Sequence, residues 1–458
     1  MDELIIIGRV RTLVGSRPTA GGVWVRDGLV RAVGTPAEVV MAAGPNRSVE
    51  HRTLPDHAVA MPAFEDAHLH LLSLAATRLS VDCSVETCAT LGEVLQALAM
   101  ARPVAEGWLR GWGFDEALVT DRRFPTLAEM DGAVGSHPLV IHHRTGHAAV
   151  LNSAAMAVLG ASSHVLDDHS RSLVNRVPRL GSETLATAVA ASSDDLVRHG
   201  VTRITDAGHW NGIDELRLLA ELRADGCIHQ SVTAMVEIGA AEKLRFGARL
   251  GDITVGPVKI MPSAGHHDEI ANDIGRARRA GFPVAVHVTD VDELEAALDA
   301  IEAHPPVLAP SSFDRTDRLE HVSLALPEQV ARLAAVGVAV VTQPSFVTRR
   351  AAKYRAELSA VEHDWLYRVR SLLDAGIRVR AGSDAPVVPA RPLDFVRAAV
   401  TRDLAPAERV DVGTALGMVT GGRSVAPGQP AELVVLDADP TESRLEDLAA
   451  ISVLATIS

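Results

Sequence analysis

The chain has 458 residues, of which 47% are hydrophobic, so it can bury the core of a large domain with a smaller one beside it. Its formal net charge is −14 and its 44 lysine and arginine residues are scattered along the chain, which argues against nucleic acid as a partner. No apolar run reaches transmembrane length, and the three cysteines lack metal-type pair spacing, so we expect no membrane partner and a reducing, cytoplasmic location.

Both ends of the chain carry short strand patterns. Near the N-terminus these are Leu4–Ile7, Val23–Arg26 and Leu29–Val33, and near the C-terminus Glu432–Asp437 and Ile451–Leu454. Because chain termini often lie close together, we expect residues 1–60 and 421–458 to form one small composite β domain.

Residues 61–420 are predicted to form the main domain, and from about residue 196 onward strand-like runs alternate with helical patterns, which is typical of βα units and a parallel sheet. A first strand is predicted at Ala58–Phe64. Seven more are predicted at Val201–Asp206, Ile228–Val236, Val255–Met261, Val284–Val288, Leu319–Val322, Val338–Thr342 and Ile377–Ala381. Eight such units predict the α/β class and a (β/α)₈ TIM-type barrel.

A long insertion, residues 71–195, follows the first predicted barrel strand. It contains its own strand-like stretch, Pro138–His143, and several helical patterns. An excursion of this length is usually functional, often as a lid over a binding site.

Two histidines follow the first predicted barrel strand, in Asp66-Ala67-His68-Leu69-His70. In an extended segment residues i and i+2 point the same way, so His68 and His70 can present both imidazoles to one metal ion. Two histidines at this spacing are common in proteins, so the metal interpretation depends on further ligands.

Further polar residues recur at the C-terminal ends of later predicted strands, where the catalytic groups of such barrels gather: Lys259, His287, His321 and Asp384. Taken singly, His287 could be a core histidine, Lys259 could extend its amine out of the sheet, and Asp384 could cap a helix. Their common position with His68 and His70 favours one metal centre.

Lys259 needs a separate explanation, because an ammonium group has no lone pair and cannot ligate a metal. A neutral lysine that captured carbon dioxide would become a carbamate, whose two anionic oxygens suit the bridging of two metal ions. The alternative is a barrel lysine paired with a neighbouring carboxylate.

Other residues are candidates for substrate binding. Arg144 and His147 end the strand-like stretch of the insertion, where a structural polar turn is the alternative. His266 follows the predicted strand of Lys259 and would otherwise be a solvated loop residue. Trp112 would stack on substrate or pack the insertion.

The chain resembles the amidohydrolase superfamily, and within it the family 3 branch that includes N-substituted formamide deformylase. The resemblance spans nearly the whole chain and is carried by Ala63–His70, Gly111–Glu116, Gly146–Ser153, Gly200–Thr202, Arg318–His321, Leu372–Gly376, Gly382–Pro386 and Pro427–Asp437. The loop Met261–His267 departs from the branch, since it lacks the acidic residue and the glycine often found there.

The resemblance implies one or two divalent metal ions, usually zinc, and a carbamate on the lysine. The metal ligands would be His68, His70, Lys259, His287, His321 and Asp384. Asp384 would act as the proton shuttle while a metal-activated hydroxide attacks, and a nearby histidine, His321, would stabilise the oxyanion.

The expected reaction is therefore hydrolysis of an amide-like C–N bond in a small molecule such as a formamide, an N-acyl amine, a urea or a lactam. Two alternatives stay open. One is a deaminase of a cyclic amidine that uses a single metal ion, and the other is a catalytically silent relative that serves as a binding protein. The sequence leaves homo-oligomerisation open.

Overall fold

A computed structural model of the protein describes residues 3–44, 49–144, 146, 148–166, 176–178, 180–262, 268–306 and 312–458. The strands of these residues are β1 (Glu3–Val14), β2 (Arg17–Arg26), β3 (Leu29–Gly34), β4 (Glu50–Thr53), β5 (Val59–Pro62), β6 (Phe64–Leu69), β7 (Val81–Asp82), β8 (Leu109–Phe114), β9 (Leu139–His143), β10 (Ala149–Leu151), β11 (Val165–Leu166), β12 (Val201–Asp206), β13 (Ser231–Val236), β14 (Arg249–Leu250), β15 (Ile253–Ile260), β16 (Val284–Val288), β17 (Arg318–His321), β18 (Ala339–Thr342), β19 (Val379–Ala381), β20 (Leu433–Leu436) and β21 (Val453–Ile457).

The α-helices of the same residues are Pro36–Ala43, Leu71–Thr77, Leu91–Ala99, Leu127–Val134, Ser153–Leu159, Ser182–Arg198, Ile213–Ala224, Ile238–Ala241, Asp268–Arg279, Val291–Ala303, Pro327–Val336, Pro344–Arg349, Ala351–Glu357, Ala360–His363, Val369–Asp374, Pro392–Thr401 and Val412–Val419. Two 3₁₀ helices lie at Pro406–Glu408 and Asp447–Ala450.

The chain divides into two compact units. The larger comprises Met1–His70, Ser193–Asp384 and Val388–Ser458, and the smaller comprises Leu71–Ser192 with Ala385–Val387.

The larger unit contains eight parallel strands in the order β6, β12, β13, β15, β16, β17, β18 and β19, with the short β14 paired to β15. The chain after β19 returns to β6, because the Asp384 amide donates to the His68 carbonyl at 2.7 Å. The Ser383 amide also donates to Oδ1 of Asp66 at 3.0 Å. The first and last strands thus meet, and the predicted (β/α)₈ barrel is confirmed.

Apolar runs form several of the barrel strands, and helices of the barrel carry an apolar stripe on one side. All four residues of Ala339–Thr342 are buried, as expected for a parallel sheet that is covered on both faces. The helix Val291–Ala303 buries Leu294, Ala297, Leu298, Ala300 and Ile301 on one side. Its first turn is capped by Asp290, whose carboxylate accepts hydrogen bonds from two backbone amides.

The prediction of the first barrel strand at Ala58–Phe64 is wrong. Val59–Pro62 belongs to the terminal sheet, where it pairs with β1 and β20, and the barrel strand is Phe64–Leu69. The error arises because β6 carries the buried polar residues Glu65, Asp66 and His68, so it lacks the apolar pattern of its neighbours. Residues that are distant in sequence form hydrogen bonds and ion pairs with these polar groups, and the pattern of a single strand does not reveal such partners.

The two ends of the chain form one sheet, in the order β21, β20, β5, β1, β2 and β3, with β4 also paired to β1. Arg11 of β1 and Asp439 beyond β20 form a salt bridge with 2.5 Å between Nη2 and Oδ2. The core of this sheet includes Leu4, Ile6, Val25, Leu433 and Val435. The predicted association of both chain ends in one additional sheet is confirmed, and the bounds of a separate small domain stay a prediction.

The smaller unit is the insertion, and it has its own sheet in the order β11, β10, β9, β8 and β7. Strands β7, β8 and β9 are parallel, and β10 and β11 continue the sheet in antiparallel fashion. Asn152 caps the helix Ser153–Leu159, and its Oδ1 also accepts the Leu139 amide of β9 at 2.9 Å. Two apolar clusters form the core of this unit.

Candidate metal centre

All six predicted metal ligands lie at the C-terminal ends of strands of the larger unit. His68 lies within β6 and His70 follows it, while Asp384 lies in the turn after β19. The other three lie within their strands near the C-terminal ends, and these are Lys259 in β15, His287 in β16 and His321 in β17. The parallel barrel brings these side chains to one end of the unit.

Three of the six residues form a tight group. Nε2 of His70 lies 3.1 Å and Nε2 of His68 lies 3.4 Å from Oδ1 of Asp384. One nitrogen or oxygen from each of these residues lies within 4.8 Å of the others. Two imidazoles and a carboxylate at such separations match the donor set of a zinc-type site.

The two remaining histidines of the predicted set lie next to this group. The ring centroid of His321 lies 4.9 Å from that of His68 and 4.5 Å from that of His287. The local backbone is unusual, since His321 has φ of 71° and Asp384 has φ of 57°. Left-handed conformations in residues other than glycine cost free energy and cluster at functional sites, where the surrounding structure holds them.

His68 is oriented by a residue that was not among the predicted site residues. Its Nδ1 donates to Oε2 of Glu320 at 2.5 Å, and Oε1 of Glu320 accepts from Nε of Arg318 at 2.5 Å. Burial raises the pKa of Glu320, but the charges of Arg318 and His68 outweigh it and hold that pKa below its usual value. The ionised Glu320 therefore holds the proton of Nδ1, so Nε2 is the nitrogen of His68 that would ligate a metal.

His321 is held in a similar way. Oε1 of Gln343 lies 2.7 Å from Nδ1 of His321, and both side chains are buried. Burial lowers the pKa of His321 to about 3, although the charge of Asp384 opposes this shift. The imidazole is therefore neutral at pH 7, which is the state that can ligate a metal or donate one hydrogen bond.

Lys259 carries a buried amine. Only 5% of the residue is exposed, and Nζ has no hydrogen-bond partner among the described residues. Burial lowers the pKa of Lys259 to about 8, against the opposing charges of Glu320 and Asp384. Such an amine is more reactive than an exposed lysine because a larger fraction of it is neutral.

Asp66 connects the first strand to the turn that carries Asp384. Its Oδ1 accepts from the amides of His68 at 3.2 Å and Ser383 at 3.0 Å, while Oδ2 has no hydrogen-bond partner among the described residues. Burial raises the pKa of Asp66 to about 6. The residue thus positions both sides of the centre.

The predicted substrate-binding residues are described less completely. Arg144 pairs with Glu86 at 3.0 Å, and the ring of Trp112 lies 6.1 Å from that of His142, all within the insertion unit. His147 and His266, together with most of the Met261–His267 loop, lie outside the described residues.

The insertion holds a second group of ligand types that sequence reasoning did not identify. Nε2 of His143 lies 3.2 Å from Oε2 of Glu116 and 3.7 Å from Oδ1 of Asp115. The sequence contains a signal for this group, because Asp115 and Glu116 end the Gly111–Glu116 motif and His143 ends β9.

The chain is similar to known proteins over nearly its whole length. The family model described as "Amidohydrolase family" matches residues 57–458. N-substituted formamide deformylase of Arthrobacter pascens is 29% identical, over 99% of this chain and 97% of that protein. The putative amidohydrolase YtcJ of Bacillus subtilis is 25% identical, over 94% of each chain.

Solved structures share the fold. An uncharacterized metal-dependent hydrolase of Pyrococcus horikoshii has a TM-score of 0.79 at 22% identity, covering 97% of this chain and 99% of that one. Atrazine chlorohydrolase TrzN of Arthrobacter aurescens, complexed with zinc, has a TM-score of 0.59 at 14% identity, covering 99% of this chain and 93% of that one.

Among the described helices, none combines the length and apolar composition that crossing a membrane requires. The family model extends over the barrel, the insertion and the C-terminal strands, and the barrel carries histidines and an aspartate at the ends of its strands. The chain therefore belongs to the amidohydrolase family and is a metal-dependent hydrolase of that type.

Proposed function

We propose that the protein hydrolyses an amide-like C–N bond of a small molecule, with a divalent metal, zinc in the first instance, held by the six strand-end residues. The observation that carries this proposal is the group of His68, His70 and Asp384, whose ligand atoms lie within 4.8 Å of one another. The similarity to a formamide deformylase supports the same reaction class.

The donor chemistry fits a cation. The partly buried Asp384 carboxylate lies between two imidazole nitrogens, and Nδ1 of His70 has no hydrogen-bond partner among the described residues. Burial and Lys259 lower the pKa of His68, but Glu320 and Asp384 outweigh them and raise it, so a positive charge is favoured there. A divalent ion would supply that charge, together with Lewis-acid polarisation and a nucleophile at neutral pH.

Lys259 completes the set as a carbamate. Its neutral amine adds to the carbon of carbon dioxide, so that an N–C bond forms while one C=O π bond breaks and its electron pair moves to the oxygen. One amine proton leaves to solvent. With a pKa of about 8, roughly a tenth of the amine is neutral at pH 7, far more than for an exposed lysine. The product is anionic and removes the cost of an unpaired ammonium group in the barrel.

Asp384 is the proton carrier. Burial raises its pKa, but hydrogen bonds from His68 and His70 hold that pKa well below its usual range, so the carboxylate is ionised. It accepts the proton of the hydroxide that attacks the carbonyl carbon, and it delivers this proton to the leaving nitrogen. Nε2 of neutral His321 would help to hold the metal that stabilises the charge developing on the carbonyl oxygen, while Nδ1 of the same ring donates to Gln343.

Substrate recognition is assigned to Arg144, His147, Trp112 and His266, which remain predictions. The reducing cytoplasm and a homo-oligomeric state also remain predictions.

A second candidate is a deaminase of a cyclic amidine with one metal ion. The observation in its favour is that the tight group contains only His68, His70 and Asp384, which can bind one ion without Lys259. The two functions differ in metal stoichiometry and in substrate.

The test is metal analysis of the purified protein, followed by a screen of N-formyl amines, N-acyl amines, ureas, lactams and cyclic amidines. We expect two metal equivalents and release of an amine from at least one of the first four classes. One metal equivalent with ammonia release from an amidine would favour the deaminase. A protein that holds metal but turns over none of the five classes would contradict both.

A further inference from the structure

A polar cavity of about 390 Å³ lies at the opposite end of the barrel strands from the metal centre. Its walls include Glu65 and Ser231, which lie at the beginnings of β6 and β13, and Thr254 near the beginning of β15. The metal ligands lie at the other ends of the same barrel. The cavity therefore belongs to a different site, and its volume is within the range of small-molecule pockets.

The cavity is rich in positive charge although the whole chain is acidic. Five guanidinium groups line it, and they belong to Arg203, Arg223, Arg249, Arg380 and Arg423. Only three carboxylates line it with them, in a protein of net charge −14. Glu432 pairs with two of the arginines from outside the lining, and a positive excess remains.

Arg223 is the clearest unsatisfied cation. It lies at the end of the helix Ile213–Ala224, and its Nη1 donates to the Ile228 carbonyl at 2.6 Å. Its Nε is buried without a hydrogen-bond partner, and no carboxylate of the described residues forms a salt bridge with it. Its charge therefore has no carboxylate partner within the described part of the chain, and an anion in the cavity would be attracted to it.

Arg423 shows the same deficit. Its Nη1 and Nη2 donate to Glu432 and to the Ala63 carbonyl, each at 2.8 Å, but its Nε is buried without a partner among the described residues. Burial lowers the pKa of Arg423, so the surrounding carboxylates do not fully compensate the charge. Two arginines on different elements of the cavity wall thus each carry a charge that the surrounding carboxylates do not fully neutralise.

We propose that this cavity is a binding site for a small oxyanion, a phosphate-bearing or carboxylate-bearing metabolite, separate from the metal centre. Guanidinium groups offer paired N–H donors that match the oxygens of such groups, and Ser231 and Thr254 add hydroxyl donors. Because the ligand would bind at the N-terminal side of the barrel, it would not compete with substrate.

The test is isothermal titration of the metal-loaded protein with inorganic phosphate, pyrophosphate and citrate. Arg223→Gln and Arg249→Gln are the test variants. Arg249 is 60% exposed in a surface pair, so its replacement leaves the barrel intact. Arg217→Gln is the matched control, since Arg217 lies on the same helix as Arg223 but pairs with Asp214 at the surface.

We expect binding of at least one probe with a stoichiometry of one, weakened at least tenfold by Arg223→Gln, weakened by Arg249→Gln, and unchanged by Arg217→Gln. A preference for pyrophosphate assigns a phosphate ligand, and a preference for citrate assigns a carboxylate ligand. If no probe binds at millimolar concentration, the inference is wrong. It is also wrong if both test variants bind as tightly as wild type, which is the result that binding at the metal ions would give.

Discussion

Glu320→Gln isolates the role of the residue that orients His68. The substitution keeps the shape of the side chain and an amide oxygen that can still accept from Nδ1 of His68. It removes the charge that lies 2.5 Å from both Nδ1 of His68 and Nε of Arg318.

Two separate costs follow. Arg318 is 4% exposed, so loss of its carboxylate leaves a buried unpaired charge, which costs about 3–5 kcal/mol of unfolding free energy. His68 becomes a weaker ligand because its ring loses a charged acceptor. Removal of such an outer partner lowers metal affinity by about 10- to 100-fold.

The assay is a competition titration of metal against a chelator, paired with denaturant unfolding of the metal-free protein. The matched control is Asp317→Asn. Asp317 forms an equally buried pair with Arg278, at 2.5 Å and 2.8 Å, but contacts none of the six ligands. We expect both variants to lose stability and only Glu320→Gln to lose metal affinity.

Equal metal affinity in the two variants would refute the argument that Glu320 orients His68. If both variants lose metal affinity in proportion to their loss of stability, a general destabilisation of the barrel is sufficient to explain the weaker metal binding.

Three further predictions concern the same centre. Asp384→Asn should lower turnover at least about a hundredfold while metal content stays near wild type, and steady-state kinetics showing near wild-type activity would exclude Asp384 as the proton carrier. Because the pKa of Lys259 is about 8, the neutral fraction of its amine increases about fivefold between pH 7 and pH 8. Bicarbonate should therefore accelerate metal loading over this pH range. Lys259→Ala should abolish that acceleration and lower the bound metal from two equivalents toward one. Gly382→Ala would place a methyl group 2.6 Å from the His68 amide nitrogen, so it should cost about 1–3 kcal/mol of unfolding free energy and weaken metal binding. Gly417→Ala is the control, because a methyl group there would lie in open space on a helix and should change neither quantity. Chelator titration and thermal unfolding of both variants check this prediction.

Much of the fold was predictable because it depends on local patterns. Strands such as Val201–Asp206 and Val284–Val288 were predicted with the bounds that the structure gives them, since short runs rich in β-branched residues between helical patterns indicate parallel strands. The first barrel strand was misplaced because Phe64–Leu69 buries charged and polar residues, and only contacts between distant residues make that burial tolerable.

The sequence by itself determined which residue types lie at the strand ends, because a parallel barrel sends every such end to one side. It named His68, His70 and Asp384, and the structure brings these three together across more than 300 residues of chain. Only the tertiary structure decided what surrounds them. Four features depend on burial and on distances between remote segments: the carboxylate of Glu320 beside His68, the neutral state of His321, the amine of Lys259 without a hydrogen-bond partner among the described residues, and the arginine-lined cavity. Burial and these distances determine the local electrostatic environment, and no local sequence pattern encodes them.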